Sequence, residues 1–411
     1  MSSSSFRTSA AACAALLASS LRVTNAGTNQ QADVIQQRMF GTGCLPGPFR
    51  FDAYPTCVTA ASEEDAPWAP WTSRPYCADN TSYCAFTNSD FQGPNRGVSI
   101  IDVEPSSIKN ASLAVTSIAK LLSSPVSAPP PASADESSPP YEMRDIPGKG
   151  NGLIATRKIP RGQVFMVDYA ALVVDSQLPG RVRKAQGVEL LKEAIERLSG
   201  AEEVLSLARS SQEPESVSVY EDVMKTNAFT VEITGKAYMA LFPRIARMNH
   251  ACKPNVITRF NGTTLSNIAM AFRDISPGEE LSISYSTFGL PSGERQEKLL
   301  STWGFKCTCD LCSLPPDELA ASDDRRIRVT RLSREVIDLV EKGGAENMKK
   351  ALELYKEAVD AVEEEGLVPH MGNHYQVLGQ LWAAVGDVEK GREWVKRGKE
   401  ETAAFEKQMN V

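Results

Sequence analysis

Four of the nine cysteines in this 411-residue chain are spaced as a split metal site would need them. Cys307, Cys309 and Cys312 lie within Trp303-Gly-Phe-Lys-Cys-Thr-Cys-Asp-Leu-Cys312, and Cys252 lies upstream within Asn249-His-Ala-Cys-Lys-Pro-Asn255. Three thiolates in so short a window can wrap one face of a tetrahedral Zn²⁺, and a structural zinc takes four ligands, so the fourth comes from elsewhere. Cys252 is the candidate. His250, two residues before it, is a conceivable ligand, although four cysteines already complete the site. The plainer reading, a few small buried thiols, leaves the clustering unexplained. A metal held this way ties two distant segments together.

Other residues with chemical potential flank these. Gly148, Gly150 and Gly152 alternate with Lys149 and Asn151; without Cβ atoms they let backbone approach a ligand closely, though ordinary turns share the pattern. Tyr285 closes Gly278-Glu-Glu-Leu-Ser-Ile-Ser-Tyr285, where a lone strand tyrosine would otherwise read as core. Phe229, Trp303 and Phe305 are aromatics suited either to a core or to the wall of a ligand channel.

Taken together, Leu241-Phe-Pro-Arg-Ile-Ala-Arg-Met-Asn-His-Ala-Cys-Lys-Pro-Asn255, the Gly278–Tyr285 block, the cysteine-rich tail and Ile146-Pro-Gly-Lys-Gly-Asn-Gly-Leu-Ile-Ala-Thr-Arg-Lys-Ile-Pro-Arg-Gly162 resemble the SET-domain protein lysine methyltransferases. The last block resembles the family's opening strand pair with its glycine-rich turn. The resemblance runs from about Tyr141 to Cys312, and the combination of blocks is specific where any one alone would be weak. The pattern is most similar to the SET-and-MYND subgroup, which has a helical insert and a helical carboxyl-terminal domain. A MYND finger needs closely paired cysteines, however, and none lies between Cys84 and Cys252, so a fungal-type member without that finger fits better.

The resemblance implies transfer of a methyl group from S-adenosylmethionine to a lysine side chain of a histone or non-histone protein. A neutral amine must attack the methyl group in line, so the protein's task is orientation and desolvation. Free lysine has a pKa near 10.4, and an apolar channel that disfavours the ammonium helps to deliver the nucleophile. By resemblance, Tyr285 is the active-site tyrosine, and Phe229 and Trp303 stand with it along the lysine channel. Lys149, Gly150, Asn151, Asn249 and His250 match cofactor contacts, and Phe305 matches an aromatic that stacks on adenine. Cys252, Cys307, Cys309 and Cys312 would hold one structural zinc. The competing class is a catalytically inactive SET and helical-repeat interaction module, in one version secreted.

The elements that must position these residues imply an α+β fold: a SET-type β-clip of short strands with a helical insert and a zinc-bound post-SET tail, then an all-α, tetratricopeptide-like domain. Leu153–Ala155 and Val164–Val174 read as strands joined by a turn at Pro160-Arg-Gly162. From Arg181 to Arg209, apolar residues at three- and four-residue intervals predict helices broken at Ser199-Gly200. Val256–Phe260 and Thr263–Phe272 flank Asn261-Gly262, a pair that accommodates positive φ at both positions of a tight hairpin turn. Beyond Pro315-Pro316 the chain turns helical. Leu352, Tyr355, Val359 and Val362 form one stripe, and Leu378, Leu381, Trp382, Val385, Val388, Trp394 and Val395 suggest a tetratricopeptide-type pair, serving either as a buttress or as a groove for a peptide partner.

The domain boundaries follow as a leader over 1–26, a cysteine-containing segment over 27–121, a Pro/Ser-rich linker over 122–140, the SET domain over 141–290, the post-SET zinc segment over 291–314 and the helical domain over 315–411. The balance of 44 basic and 51 acidic residues carries no polyanion-binding signature, which disfavours direct nucleic-acid binding. The leader has an apolar run, Ala10–Leu21, too short to span a membrane. It reads as a secretory signal, a mitochondrial transit peptide or a disordered tail. Cys44, Cys57, Cys77 and Cys84 follow it as an even set suited to disulfides, with sequons at Asn80 and Asn110. The metal-spaced cysteines want thiolates, and the implied methyl donor is mainly intracellular. The leader therefore points to the secretory pathway and the chemistry to nucleus or cytoplasm.

Overall fold

The computed structural model describes residues 68–91, 96–103, 118–120, 138–208, 218–367 and 371–409. The leader, Cys44, Cys57, Asn110 and most of the Pro/Ser-rich stretch lie outside the described residues. Among the described residues, thirteen strands form three sheets. The largest has the order β1-β2-β3-β7-β9-β8, built from Tyr76–Cys77, Tyr83–Asn88, Val98–Val103, Leu172–Asp175, Lys236–Leu241 and Phe229–Ile233. A four-stranded sheet has the order β10-β13-β5-β4, from Asn249–His250, Glu280–Ile283, Gly150–Ala155 and Tyr141–Ile146. The third has the order β11-β12-β6, from Val256–Asn261, Ser266–Ala271 and Val164–Tyr169.

Residues 76–91 and 96–103 are part of this architecture. β3 pairs in parallel with β7, Ile100 opposite Val173, and Phe86, Val98 and Ile100 share one core with Phe165, Tyr238 and Ile283. Ionic groups reinforce the joint: Lys236 lies 2.8 Å from both Asp102 and Asp175, Tyr238 donates to Asp102 at 2.7 Å, and Tyr83 donates to Asp175 at 2.8 Å. Both carboxylates are buried, so each needs these partners. A disulfide joins Cys77 to Cys84 across the β1–β2 pair.

The predicted helical insert is present as α1, Lys184–Glu196, and α2, Ala201–Leu205, on either side of the expected break. Leu190, Leu191, Ala194 and Ile195 pack on the large sheet, and the Ala194 carbonyl accepts from Ser99 Oγ at 2.6 Å. A further helix, α3, Val219–Asn227, starts at a capping box in which Ser218 Oγ accepts from the Tyr220 amide and Glu221 accepts from the Ser218 amide.

Two turn expectations need correction. The β11–β12 hairpin exists, but its ladder runs to Asn261 opposite Ser266, leaving Gly262–Leu265 as the loop. Asn261 Oδ1 accepts from the Thr263 amide at 2.9 Å and its hydroxyl at 2.7 Å, an Asx turn, and the positive φ falls on Leu265, whose side chain is buried. Core burial decides where the strained residue sits. Likewise β5 and β6 are not a pair: β5 lies between β4 and β13 while β6 joins β12, and the glycine-rich turn closes β4 onto β5 with Ile146 opposite Gly150.

After α4, Ser292–Trp303, the chain is helical: α5 over Pro316–Lys342, α6 over Ala345–Glu365, α7 over Met371–Ala384 and α8 over Val388–Met409. Leu352, Tyr355, Val359 and Val362 are buried as the stripe predicted, whereas Val388 is exposed. The α7–α8 contact is glycine-lined. A Cβ on Gly379 would stand 2.6 Å from the Gly391 carbonyl oxygen, and one on Gly372 would stand 2.8 Å from that of Gly398. Phe288 packs into the helical core, and Arg161 pairs with Glu401, so the helices dock on the sheet layers. Among the described residues, no helix is long and apolar enough to cross a membrane.

Candidate active site and cysteine cluster

The site is organised around two short strands. β10 pairs in parallel with β13, placing Asn249 opposite Ser282 and His250 opposite Ile283. Asn255 secures the return of the chain: its Oδ1 accepts from the Ser282 amide at 2.8 Å and its Nδ2 donates to the Glu280 carbonyl at 2.8 Å. Buried, it splices the Asn-His segment onto β13, two residues beyond which Tyr285 stands.

On one side of β10, Asn249 Nδ2 donates to the Asn151 carbonyl at 3.3 Å and to Glu280 Oε1 at 3.0 Å, while Glu280 Oε2 binds Lys149 Nζ at 2.6 Å. Thus Lys149, Asn151 and Asn249 form one hydrogen-bonded cluster through Glu280. Gly152 permits the close approach, because a Cβ there would lie 2.7 Å from Asn249 Nδ2. Gly150, with φ at +71°, keeps the turn exposed, with open space where its side chain would be.

On the other side is a cavity of about 210 Å³ lined by Phe229, Met248, Ile283, Tyr285 and Trp303, among others. Tyr285 donates its hydroxyl proton to the Met248 carbonyl at 2.9 Å, and its amide donates to His250 Nδ1 at 3.0 Å. Its ring lies 5.2 Å from Trp303, 5.3 Å from His250 and 6.4 Å from Phe305, centre to centre. Tyr285 therefore stands between the cavity and the Asn249–His250 strand. Trp303 donates its indole N–H to the Thr226 carbonyl at 3.1 Å, which fixes the ring against the C-terminal turn of α3. Burial keeps His250 neutral, its imidazole pushed down to about 4.

The turn after α4 brings the aromatics and cysteines together. Gly304 takes the left-handed conformation that ends the helix, so that Trp303 faces the cavity while Phe305 packs 6.3 Å from the His250 ring. Gln296 then clamps Cys307 at two points, accepting from its amide at 2.9 Å and donating to its carbonyl at 2.8 Å.

The sulfurs of Cys252, Cys307, Cys309 and Cys312 all lie within 4.8 Å of one another. Cys252 Sγ is 3.9 Å from that of Cys307 and 3.5 Å from that of Cys312. A tetrahedron of Zn–S bonds of about 2.3 Å has edges of roughly 3.8 Å, close to these two separations, so the four sulfurs suit a tetrathiolate zinc. His250 Nε2 approaches Cys252 Sγ at 3.3 Å but stands outside the four-sulfur set. Hydrogen bonds among the four thiols pull Cys309 below the ordinary thiol range and push Cys252 above it, so one sulfur holds its proton for the benefit of another.

Residues 150–286 match the SET domain model. This stretch of the chain is a SET domain. The chain is similar to histone-lysine N-methyltransferase set5 of Schizosaccharomyces pombe, 27% identical over 273 residues that cover 65% of this chain and 79% of that protein. It is similar also to N-lysine methyltransferase SMYD2 of Homo sapiens, 28% identical over 169 residues, and to SMYD2-B of Danio rerio, 33% identical over 129 residues. The chain spans only 39% and 29% of those two proteins. The SET match begins at Gly150 and ends just past Tyr285, so it encloses the cavity tyrosine and the Asn249–His250 strand but not the post-SET cysteines. Glu280, Asn255 and Gln296 are the site residues that sequence reasoning missed; Glu280, inside the Gly278–Leu281 block, and Asn255, at the end of the Asn249–Asn255 block, lay within motifs that gave them no role, and Gln296 lay outside them.

Proposed function

We propose that this protein transfers a methyl group from S-adenosylmethionine to the ε-amine of a lysine in a protein substrate, histone or non-histone. One observation carries the reading: Tyr285 lines an aromatic cavity and packs on His250, whose strand neighbour Asn249 is bonded to Asn151 and, through Glu280, to Lys149. The open, exposed backbone at Gly150 and the ring of Phe305 beside His250 suit a ligand with a charged amino-acid end and a flat base. Lys149, Gly150, Asn151, Asn249, His250 and Phe305 would hold it. When bound, the cofactor supplies an electrophilic methyl group and a thioether leaving group that needs no proton.

The chain's own residues do the rest. Phe229, Met248, Ile283 and Trp303 give the cavity an apolar wall, which disfavours an ammonium and favours the neutral amine. Because the Tyr285 hydroxyl already donates to Met248, its oxygen presents lone pairs that can accept an amine N–H and aim the nitrogen lone pair. The cysteine cluster is structural in this reading, closing the segment that carries Trp303 and Phe305.

The test is methyl transfer from labelled S-adenosylmethionine to lysine-containing peptides and proteins by the zinc-replete chain. Tyr285→Phe should lower kcat roughly a hundredfold through misorientation of the amine, with cofactor affinity unchanged. A parent chain that binds cofactor yet methylates no lysine would instead be an interaction module.

A further inference from the structure

Two arginines are buried beside the cysteine cluster, outside its ligand set. Arg295, on α4, is fully buried; its Nη1 donates to the Leu290 carbonyl at 2.6 Å and its Nη2 lies 4.0 Å from Cys312 Sγ. Arg326, on α5, is equally enclosed; Nε donates to Glu365 Oε1 at 2.9 Å, Nη2 to the Cys252 carbonyl at 3.4 Å and Nη1 to the same Leu290 carbonyl at 3.4 Å. Glu365, at the end of α6, also accepts from Ser322 Oγ at 2.6 Å and Arg325 Nε at 2.9 Å. A continuous polar path thus runs from the sulfurs through both guanidiniums to the helical region.

Among the described residues, the carboxylate that pairs with Arg295 is Asp323, 3.5 Å away, partly exposed and engaged by Ser292, and Arg295 Nε has no hydrogen-bond partner. A buried guanidinium so weakly paired is costly unless negative charge stands nearby. Four thiolates around a divalent cation leave two net negative charges, placed where Arg295 reaches Cys312 and Arg326 reaches the Cys252 backbone.

We propose that Arg295 and Arg326 are the counter-ions of the metal-loaded cysteine cluster, so that metal uptake and the docking of α5 and α6 on the SET domain are one coupled equilibrium. The inference rests on the metal reading of the four cysteines and not on methyl transfer. Outer partners of a metal site typically contribute 10- to 100-fold in affinity. In the full chain, with zinc affinity measured by chelator competition, Arg295→Met should weaken binding by about that factor, and Arg295→Lys, which keeps the charge, should recover most of it. Hydrogen exchange on the unmodified chain supplies a second readout that needs no variant to fold. Chelating zinc should speed exchange across Ser322–Arg326 and the Glu365 end of α6 at least tenfold, leaving β2 and β3 unchanged. Variants that hold zinc as tightly as the parent, or an α5 equally protected with and without zinc, would overturn the proposal. A parent that binds no zinc would overturn the metal reading and this inference with it, whatever the methylation assay shows.

Discussion

Gly152→Ala is the sharpest probe of the Asn249 cluster. Gly152 has a negative φ, so alanine meets no backbone penalty and the substitution tests space alone. Its Cβ would collide with Ile146 Cδ1, the end of a side chain that can rotate, and would stand 2.7 Å from Asn249 Nδ2 and 3.3 Å from Glu280 Oε1. The amide cannot retreat without losing its 3.3 Å bond to the Asn151 carbonyl and its 3.0 Å bond to Glu280. At about 0.5–1.5 kcal/mol for each hydrogen bond, with overpacking of about 1–3 kcal/mol, the loss should be about 2–6 kcal/mol. Denaturant unfolding measures that loss, and calorimetric titration with S-adenosylmethionine should show affinity reduced at least tenfold. Gly150→Ala is the control: at φ +71° it carries a left-handed penalty of roughly 1–2 kcal/mol but meets no neighbour, so it should leave Asn249 in place. If Gly152→Ala is as stable as the parent and binds cofactor as well, the close-approach argument is wrong.

Three further outcomes are expected. Burial pushes the Asp168 carboxyl up to about 6 even though it accepts from the Arg244 and Ile245 amides, so the folded state holds its proton more tightly than the unfolded one. Its contribution to stability therefore falls as pH rises from about 4 to about 6; Asp168→Asn should gain roughly 3 kcal/mol on the parent over that window, and a flat difference between their unfolding curves would refute it. Asn255→Ala strands the buried Glu280 carbonyl and Ser282 amide, and should cost about 2–4 kcal/mol by denaturant unfolding while lowering cofactor affinity. Gly379→Val drives a side chain into the Gly391 backbone, so hydrogen exchange along α7 and α8 should accelerate while the sheets stay protected.

What could be read from the sequence was the chemistry that depends on residue type at short spacing. Cys307, Cys309 and Cys312 announce a metal face by themselves, and Cys252 follows from the count of four. The α6 stripe was equally legible, because period 3.6 is visible within one segment. Asn255 and Gln296 were not, since their partners are backbone groups of segments distant in the chain, and a polar side chain carries no mark of which carbonyl it will meet. The hairpin turn shows a different limit: Asn261-Gly262 is a strong local signal for a two-residue turn, yet burial of Leu265 drew the loop out by two residues. The parallel pairing of β3 with β7 left no local trace, because it joins strands separated by more than sixty residues.

That pairing separates the stretch of chain that is matched from the stretch that folds. The SET match begins at Gly150, but β7 has β3 along one edge and β9 along the other. A polypeptide begun at Tyr141 would keep every candidate site residue and still expose a bare row of amide and carbonyl groups on Leu172–Val174, beside apolar surface that Val98, Ile100 and Ile101 now cover. Such an edge recruits other strands, and the shortened protein would be prone to self-association. Soluble expression therefore requires the first three strands, disulfide hairpin included, to travel with the SET region.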